Sequence, residues 1–409
     1  MNSDKLRIAL YSPGIVGLGH LRRNLLISQA LVKSSLQPVS LIIAEAREAS
    51  AYVNTMPSEM DTVTLPGLSK NVNGECKPRY LNLPFDEMIK LRSNVIRATL
   101  EDFEPDVLIV DNLPRGAYRE LDPALQYLKS KGGTRCVLGL RDVLDDPDAV
   151  QRDWCRWQNE LAIREHYEAI WVYGDPSIYN LLLECQFSKD VASKVRYTGY
   201  LDQRPRLAPV EDEIVDPFER LEVSDGGLIL CLVGGGQDGD RLAQAFIDSE
   251  LPARTTGVIV AGPFMSLEAL RKLTQQAAVR PCFRILRFIP EPGVLFARAK
   301  RVIAMGGYNT VCEVLSFAKP ALIIPRVRPR REQIIRAQRL RDLDLIDMLH
   351  PEALSARALS DWMARDVAAP QVQGRIDLDG LSRLPGLLAE LLADSHPALH
   401  EGPYYLDAI

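Results

Sequence analysis

Short apolar runs alternate with amphipathic, helix-like segments along most of the chain. In the first half the apolar runs lie at residues 6–12, 39–44, 106–111, 134–140 and 169–173, with a weaker run at 61–65. The helical patterns between them lie near residues 21–32, 84–102, 116–131 and 147–164. Short buried strands that alternate with helices are typical of a parallel sheet covered on both faces. The first half is therefore predicted to be a doubly wound α/β domain.

A break in this pattern, followed by its return, divides the chain. Residues 203–225 are rich in proline and charge, as linkers often are. Apolar and helical segments then alternate again from residue 228 to residue 343. The sequence therefore predicts an N-terminal domain over 1–202, a linker over 203–225 and a C-terminal domain over 226–379. A helix within 380–409 is expected to pack back on the N-terminal domain.

Composition supports a globular protein and excludes several classes. Hydrophobic residues make up 46% and charged residues 25% of the 409 residues, which excludes a disordered chain. No apolar run approaches the roughly 18–20 residues that cross a bilayer, and the N-terminus lacks a signal-peptide layout, so we expect a cytoplasmic protein. The net charge of −5 does not favour nucleic-acid binding. The seven cysteines are scattered without a C-x-x-C pair, which argues against a disulfide framework or a structural zinc site.

Three glycine-containing turns follow predicted strands and open predicted helices. Two doubly wound domains in tandem leave a cleft between them, and ligands bind beyond the carboxyl ends of the strands of such sheets. Glycine lets the backbone approach a ligand closely there, and the start of a helix favours negative charge. The first turn contains Gly17, Gly19 and His20, the second Gly234, Gly235, Gly236 and Gln237, and the third Gly306, Gly307, Asn309, Thr310 and Glu313.

The third turn and the segment after it indicate an anionic ligand. Asn309 and Glu313 are four residues apart and share one helix face. A carboxylate held there has two acceptor oxygens, which suit the two vicinal hydroxyls of a ribose. Residues 325–341 carry seven arginines against the single acidic side chain of Glu332. Because guanidinium forks match phosphate oxygens, these features together favour a nucleotide at this edge of the sheet.

Three residues are candidates for a general base at the cleft. Asp111 and Asp142 end predicted strands of the first domain, although strand-end aspartates also cap helices. His20 is the leading candidate because a neutral imidazole is a competent base near pH 7. The alternative for His20 is a contact with a diphosphate. The acidic run at 145–148 superficially resembles a metal-binding D-x-D motif, but it stands directly before a helix, which favours N-capping.

Three motifs carry a resemblance to a known family. They are GLGH at 17–20, VGGGQDG at 233–239 and MGGYNTVCE at 305–313, the last followed by two prolines and REQ. In order and spacing they resemble the nucleotide-sugar glycosyltransferases of the GT-B fold. The resemblance is to family 28, which includes the peptidoglycan N-acetylglucosaminyltransferase. It implies two Rossmann-like domains that face each other across a cleft, with the acceptor on the N-terminal side and the donor on the C-terminal side.

The resemblance also implies roles for individual residues. Glu313 would hold the ribose hydroxyls, Phe288 and Ile289 would contact the base, and Glu332 and Gln333 would contact the sugar. The loop with Gly17, Gly19 and His20 would face the donor diphosphate from the acceptor side. The full set of implied donor-binding residues is Gly234, Gly235, Gly236, Gln237, Phe288, Ile289, Gly306, Gly307, Asn309, Thr310, Glu313, Arg326, Glu332 and Gln333.

The activity implied is transfer of a hexose or N-acetylhexosamine from a nucleoside-diphosphate sugar, with UDP favoured, by an inverting reaction without metal or other cofactor. The first loop reads G-I-V-G-L-G-H-L-R-R where the peptidoglycan enzyme has G-G-T-G-G-H, so the acceptor stays open. A glycan, a lipid-linked or a small-molecule acceptor is compatible, and a lipid acceptor would bring peripheral contact with the inner face of the membrane. The alternatives are a nucleotide-sugar hydrolase in which His20 activates water, and a non-catalytic sugar-nucleotide-binding protein.

Overall fold

A computed structural model describes residues 5–14, 18–45, 56–70, 76–207, 221–235 and 238–393. These residues form a seven-stranded and a six-stranded parallel sheet, joined in sequence through the region around residues 204–221. Gly17, Gly236 and Gln237 of the predicted turns lie outside the described residues.

The N-terminal domain is built on the seven-stranded sheet. Its strands, with an added antiparallel hairpin of β4 and β5, are β1 (Arg7–Ser12), β2 (Val39–Ala44), β3 (Met60–Thr64), β4 (Leu68–Lys70), β5 (Cys76–Pro78), β6 (Val107–Asp111), β7 (Arg135–Arg141), β8 (Ala169–Tyr173) and β9 (Val195–Tyr197). Its helices are α1 (Gly19–Val32), α2 (Phe85–Phe103), α3 (Asp122–Lys131), α4 (Pro147–Trp157), α5 (Asn159–His166), α6 (Leu181–Glu184) and α7 (Lys189–Ser193). The strand order is β3-β2-β1-β6-β7-β8-β9.

The C-terminal domain is built on the six-stranded sheet. Its strands are β10 (Leu228–Leu232), β11 (Thr256–Val260), β12 (Phe283–Leu286), β13 (Ala299–Ala304), β14 (Ala321–Ile323) and β15 (Asp347–Met348), in the order β12-β11-β10-β13-β14-β15. The helices are α8 (Asp240–Ile247), α9 (Leu267–Ala278), α10 (Gly293–Arg298), α11 (Tyr308–Ser316), α12 (Glu332–Asp342), α13 (Ala356–Ala364) and α14 (Gly380–Ala393).

Both sheets are covered on both faces, which explains the continuous apolar runs in the sequence. Every residue of β6 and of β10 is buried, so neither strand shows the alternation of a half-exposed strand. The strand order reverses between β1 and β6 in the first sheet and between β10 and β13 in the second. Ligands of such sheets bind at these switch points. The prediction of two doubly wound α/β domains is confirmed.

Several elements differ from the sequence prediction. The predicted helix over 147–164 is two helices, because Gln158 adopts the left-handed conformation (φ 53°, ψ 44°) and ends α4. The helix predicted over 116–131 begins as a 3₁₀ turn at Ala117–Arg119, and α3 follows it. The short strands β9 and β15 were not predicted. Their few residues mix polar and apolar side chains, so neither has a strand-like pattern.

The last described helix returns to the N-terminal domain. α14 packs against α1, and its buried Leu384 and Leu388 belong to the same apolar cluster as the buried face of α1. Arg383 donates a hydrogen bond to the carbonyl of Thr198 at 2.6 Å, and the amide of Gly380 donates to the carbonyl of Tyr200 at 3.1 Å. None of the described helices combines the length and the hydropathy that crossing a membrane requires.

Candidate functional site

Two helices from different domains begin at the same point of the cleft. α1 starts beyond the carboxyl end of β1, and α11 starts beyond the carboxyl end of β13. The Asn309 side-chain amide donates a hydrogen bond to the carbonyl of Gly19 at 2.9 Å, which ties the two helix starts together. Backbone N–H groups and positive helix ends therefore converge here, an arrangement that favours an anionic ligand.

His20 and Asp111 form a hydrogen-bonded pair at this point. Nδ1 of His20 lies 2.9 Å from Oδ2 of Asp111. Nη2 of Arg23 also lies near Nδ1, at 3.1 Å, but the shorter contact of Nδ1 is with the carboxylate. Because a carboxylate accepts only, we assign the hydrogen on Nδ1 to a bond donated to Asp111, which leaves Nε2 as the acceptor nitrogen. Arg23 donates from Nη2 to both oxygens of Asp111, at 2.6 and 2.7 Å. Asp111 thus holds the His20 ring in one tautomer, and Nε2 is the atom free to take a proton.

The surroundings of this pair keep the imidazole neutral and the carboxylate charged. Burial lowers the pKa of His20 below its ordinary 6.5; Asp111 opposes this effect, and the positive charges of Arg23 and Arg141 add to it. Burial raises the pKa of Asp111, but Arg23 and His20 outweigh burial and hold that pKa below its usual range. At pH 7 the site therefore holds a neutral base oriented by an ionised carboxylate.

Asp142 takes part in a buried contact between the domains. Arg336 of α12 donates to Oδ1 at 2.6 Å from Nη2 and to Oδ2 at 2.8 Å from Nε. The Tyr200 hydroxyl donates to Oδ2 at 2.9 Å. Both carboxylate oxygens thus accept from Arg336 of the C-terminal domain, and Oδ2 also accepts from Tyr200 of the N-terminal domain. This geometry favours His20 over Asp142 as the base.

Glu313 is buried in the second turn of α11, and a residue of the other domain contacts it. Nη2 of Arg22 donates a hydrogen bond to Oε1 at 2.6 Å. Oε2 is buried and has no hydrogen-bond partner among the residues that the structure describes. An unsatisfied buried carboxylate oxygen is costly, so a hydroxyl that donates to Oε2 would be stabilised. The arrangement has an open acceptor position for a ligand, next to Arg22.

The glycine turns beside α8 and α11 leave open space. Gly234 has a positive φ of 65°, and a Cβ added to Gly234 or to Gly307 would meet no described atom within 4 Å. A Cβ on Gly262 would lie 2.4 Å from the carbonyl oxygen of Gly234, so the two loops approach closely because one of them carries glycine. Gly235, next to Gly234, accepts a hydrogen bond from the amide of Phe264 at 2.9 Å. The turns can therefore admit a ligand beside both helix starts.

The turn after β14 is held by its own side chains. Arg326 donates from Nη2 to Oε1 of Glu332 at 2.7 Å, and its amide donates to Oε1 of Gln333 at 3.0 Å. Oε2 of Glu332 is buried and without a hydrogen-bond partner in the described part of the chain. Burial raises the pKa of Glu332, but the charges of Arg141 and Arg326 outweigh burial and leave the pKa below its usual value.

The other residues that the sequence predicts to bind the donor also belong to the C-terminal domain. Gly306 is close-packed, because an added Cβ would lie 3.3 Å from the carbonyl oxygen of Gln333. Thr310 is partly buried in the first turn of α11, next to Asn309. Phe288 and Ile289 are partly buried and pack against the core after β12.

The arginine-rich segment contacts carboxylates of the other domain. Arg331 pairs with Asp146 at 2.9 Å, and Arg339 pairs with Glu184 at 2.5 Å. Arg336, as above, pairs with Asp142. From the sequence we expected these arginines to bind an anionic ligand. Three of them instead form ion pairs between the two domains.

The D-x-D-like run has the helix-capping role expected of it. The Asp146 side chain accepts a hydrogen bond from the amide of Asp148 and caps α4. The amide of Arg331 donates to Asp145 at 2.7 Å. Among the described residues, no group of three or more His, Cys, Asp or Glu side chains is arranged to hold a metal ion.

Sequence reasoning missed three arginines at this site. Arg22 contacts Glu313, Arg23 contacts Asp111, and Arg141 ends β7 close enough to His20 to lower its pKa. One signal was present for Arg23, since residues 20 and 23 are three apart and share a helix face. Nothing in the sequence indicates the partners of Arg22 and Arg141, because these lie in separate elements.

Comparison with known proteins gives a family for the second half of the chain. Residues 229–371 match the family described as glycosyltransferase family 28 C-terminal domain. The chain is 27% identical over 152 residues to a UDP-N-acetylglucosamine–N-acetylmuramyl-(pentapeptide) pyrophosphoryl-undecaprenol N-acetylglucosamine transferase of Mannheimia succiniciproducens. That alignment covers 36% of this chain and 42% of the relative, so the match spans less than half of the relative's length.

A longer alignment and a solved structure extend the similarity to most of the chain. An uncharacterized glycosyltransferase of Methanosarcina mazei is 21% identical over 330 residues, which is 76% of this chain and 77% of that protein. The glycosyltransferase SnogD from Streptomyces nogalater has a similar structure, with a TM-score of 0.58 and 17% identity. That comparison covers 96% of this chain and all of the other, so the two proteins share the GT-B fold across both domains.

Proposed function

We propose that the protein is a glycosyltransferase with a nucleoside-diphosphate sugar as donor, since residues 229–371 match the family described as glycosyltransferase family 28 C-terminal domain. One observation carries the proposal. His20, with its orienting carboxylate, lies at the start of α1, and the start of α11 is tied to the same point of the cleft. This juxtaposition of a base for an incoming hydroxyl with a helix start that favours an anion supports transfer from a diphosphate donor.

The reaction follows from these positions. Nε2 of His20 accepts the proton of the acceptor hydroxyl while the acceptor oxygen forms a bond to C1 of the donor sugar. The bond between C1 and the diphosphate oxygen breaks, and its electron pair stays on the β-phosphate. Attack opposite the leaving group inverts the configuration at C1. The backbone N–H groups at the starts of α8 and α11 stabilise the leaving diphosphate, which makes a bound metal unnecessary.

The donor proposed is a UDP-linked hexose or N-acetylhexosamine. Glu313 binds a ribose hydroxyl through Oε2, and Phe288 and Ile289 contact the base. Glu332 and Gln333 contact the sugar. The name of the Mannheimia succiniciproducens relative, a UDP-N-acetylglucosamine transferase, supports a UDP donor. The acceptor is a glycan, a lipid-linked molecule or a small molecule, and the sequence does not distinguish among these classes.

Turnover of a panel of UDP-sugars by the purified protein tests this function. Reactions with excess chelator, each with and without glycan, lipid-linked and small-molecule acceptors, are followed by UDP release and by detection of free sugar. We expect UDP release that depends on an acceptor and survives chelation. Equal release of free sugar without any acceptor would identify a hydrolase, and binding without turnover would identify a non-catalytic protein. Activity that is lost on chelation and restored by magnesium or manganese would contradict the metal-free reaction.

The Glu313→Gln variant tests the ribose contact. We expect the affinity for UDP to fall by roughly 10- to 100-fold, since a hydrogen bond to a charged group contributes about 1.5–3 kcal/mol. Isothermal titration of UDP into the wild type and the variant measures the change. The matched control is Glu222→Gln, which changes the same charge at an exposed position before β10, at the end of the sheet away from the cleft. Unchanged UDP affinity in a folded Glu313→Gln protein would remove Glu313 from the donor site.

A further inference from the structure

Arg141 lies at the end of β7 on the same face of the sheet as the His20–Asp111 pair. Asp111 is in register with Gly139 across β6 and β7, and Arg141 is two residues beyond Gly139. Because alternate residues of a strand point to the same face, Arg141 and Asp111 share one face, which α1 covers. The side chain is partly buried, and its charge lowers the pKa of His20. Arg141 therefore lies on the side of the sheet that carries the His20–Asp111 pair.

The Nε of this arginine is unsatisfied although carboxylates are near. It is buried without a hydrogen-bond partner within the described ranges of the chain. Asp111 is engaged by Arg23, Asp142 by Arg336, and Oε1 of Glu332 by Arg326. Oε2 of Glu332 also lacks a hydrogen-bond partner among the described residues, so Arg141 and Glu332 do not satisfy each other in this arrangement. A buried guanidinium Nε with no acceptor is costly, and such a group in a native structure calls for an explanation.

The burial of Arg141 is only partly offset by the carboxylates around it. Glu332 and Asp111 attract its charge, but each of them is shared with another guanidinium group, that of Arg326 and of Arg23. Burial lowers the pKa of Arg141 to about 10; Glu332 opposes this effect, while the like charges of Arg23 and Arg336 add to it. A negatively charged group beside Arg141 would remove both the repulsion and the missing hydrogen bond.

We propose that Arg141 binds an oxyanion of a substrate at the point of transfer, between His20 of one domain and Glu332 of the other. This inference rests on the proposed glycosyl transfer. The chemistry recognised is a phosphate or carboxylate oxygen, which a guanidinium binds with charge-assisted hydrogen bonds. Two sources supply such a group: the β-phosphate of the donor, or an anionic group next to the reacting hydroxyl of the acceptor. In the first case Arg141 stabilises the charge that the leaving diphosphate gains.

The Arg141→Gln variant separates this role from a structural one. Nε of Arg141 has no hydrogen-bond partner among the described residues, and the cost of burying its charge exceeds the attraction of Glu332 and Asp111. We therefore expect the ligand-free variant to unfold at a temperature equal to or above that of the wild type. Arg141→Lys keeps the charge without the planar fork, and Arg271→Gln changes the same charge at an exposed position on α9. Melting curves of the four proteins measure this effect, and a lower unfolding temperature for Arg141→Gln alone would assign Arg141 a structural role and overturn the proposal.

Binding of three probes tests the oxyanion and its source. UDP, uridine and inorganic phosphate are titrated into each protein, and phosphate is titrated again in the presence of saturating UDP. If the β-phosphate is the ligand, UDP affinity falls at least tenfold in Arg141→Gln, and uridine affinity does not change. If the anion belongs to the acceptor, UDP affinity is kept, but phosphate binds the UDP-saturated wild type at least tenfold more tightly than the variant. Arg141→Lys should be intermediate in either case.

Failure of the Arg141 proposal can be distinguished from failure of the proposed function. Equal binding of UDP and of phosphate by Arg141→Gln, Arg271→Gln and the wild type would overturn the role of Arg141. If the wild type binds no nucleoside diphosphate at all, the proposed function fails. Phosphate titration of the ligand-free protein then still tests Arg141 as an anion-binding residue.

Discussion

His20→Ala should lower turnover by roughly 10²- to 10⁴-fold, the usual contribution of a positioned acid–base group, and should leave donor affinity nearly unchanged. The expectation rests on the assignment of the Nδ1 hydrogen to the bond with Asp111, which leaves Nε2 as the ring nitrogen that accepts a proton. Turnover with a saturating donor, measured beside UDP affinity, separates the two effects. Normal turnover with weakened UDP binding would instead make His20 a contact of the diphosphate.

The pH profile gives a second and independent test of His20. Burial holds its pKa below 6.5, so the ring is neutral at pH 7 and becomes protonated only in more acidic solution. Because a protonated imidazole cannot accept the acceptor's proton, the wild-type rate should be constant near neutrality and fall as the pH drops through this lowered value. The residual rate of His20→Ala should lack this acidic decline. A decline of the same shape in both proteins would assign it to another group.

His166→Ala is the matched control for both measurements. His166 ends α5, shortly before β8 begins, and therefore lies at the opposite end of the sheet from the cleft. Burial also lowers its pKa, so it resembles His20 in titration but not in position. We expect turnover and pH profile in His166→Ala to match those of the wild type.

The sequence predicted those parts of the molecule that local patterns determine. Buried strands are short apolar runs, and a glycine turn at the end of such a run marks the edge of the sheet where ligands bind. His20 and Glu313 could therefore be placed at the cleft from the sequence alone. The division of the helix at Gln158 was missed because a single left-handed residue leaves no periodic signal.

The partners of the site residues could not be predicted from such patterns. His20 and Asp111 are 91 residues apart, and only the parallel pairing of β1 with β6 brings them together. Arg22 and Glu313 lie in different domains, so their contact depends on how the domains face each other. The same holds for Asp142, which the sequence offered as a base and the structure joins to Arg336. Roles that depend on contacts between distant segments need the assembled fold.

Asp142 is also a position at which a single substitution should strongly destabilise the protein. Its side chain is 1% exposed and that of Arg336 is fully buried, so Asp142→Asn leaves an uncompensated positive charge in the contact between the domains. Removal of one partner from a buried pair costs roughly 3–5 kcal/mol. Arg336 also donates to the carbonyl of Gly306 at 3.1 Å, next to the donor site. We therefore expect a weaker domain contact together with a raised KM for the donor.

Thermal unfolding and limited proteolysis of the Asp142→Asn protein measure this loss. We expect a lower unfolding temperature and faster cleavage, because the domains separate more often when their buried ion pair is broken. The control Asp361→Asn removes one partner of an exposed pair with Arg357, whose side chains are 72% and 91% exposed, and should change neither result measurably. The double variant Asp142→Leu with Arg336→Met should recover part of the lost stability, since it leaves no charge without a partner. If Asp142→Asn were as stable as Asp361→Asn, the buried pair would not hold the two domains together, and the cleft would be maintained by the remaining contacts.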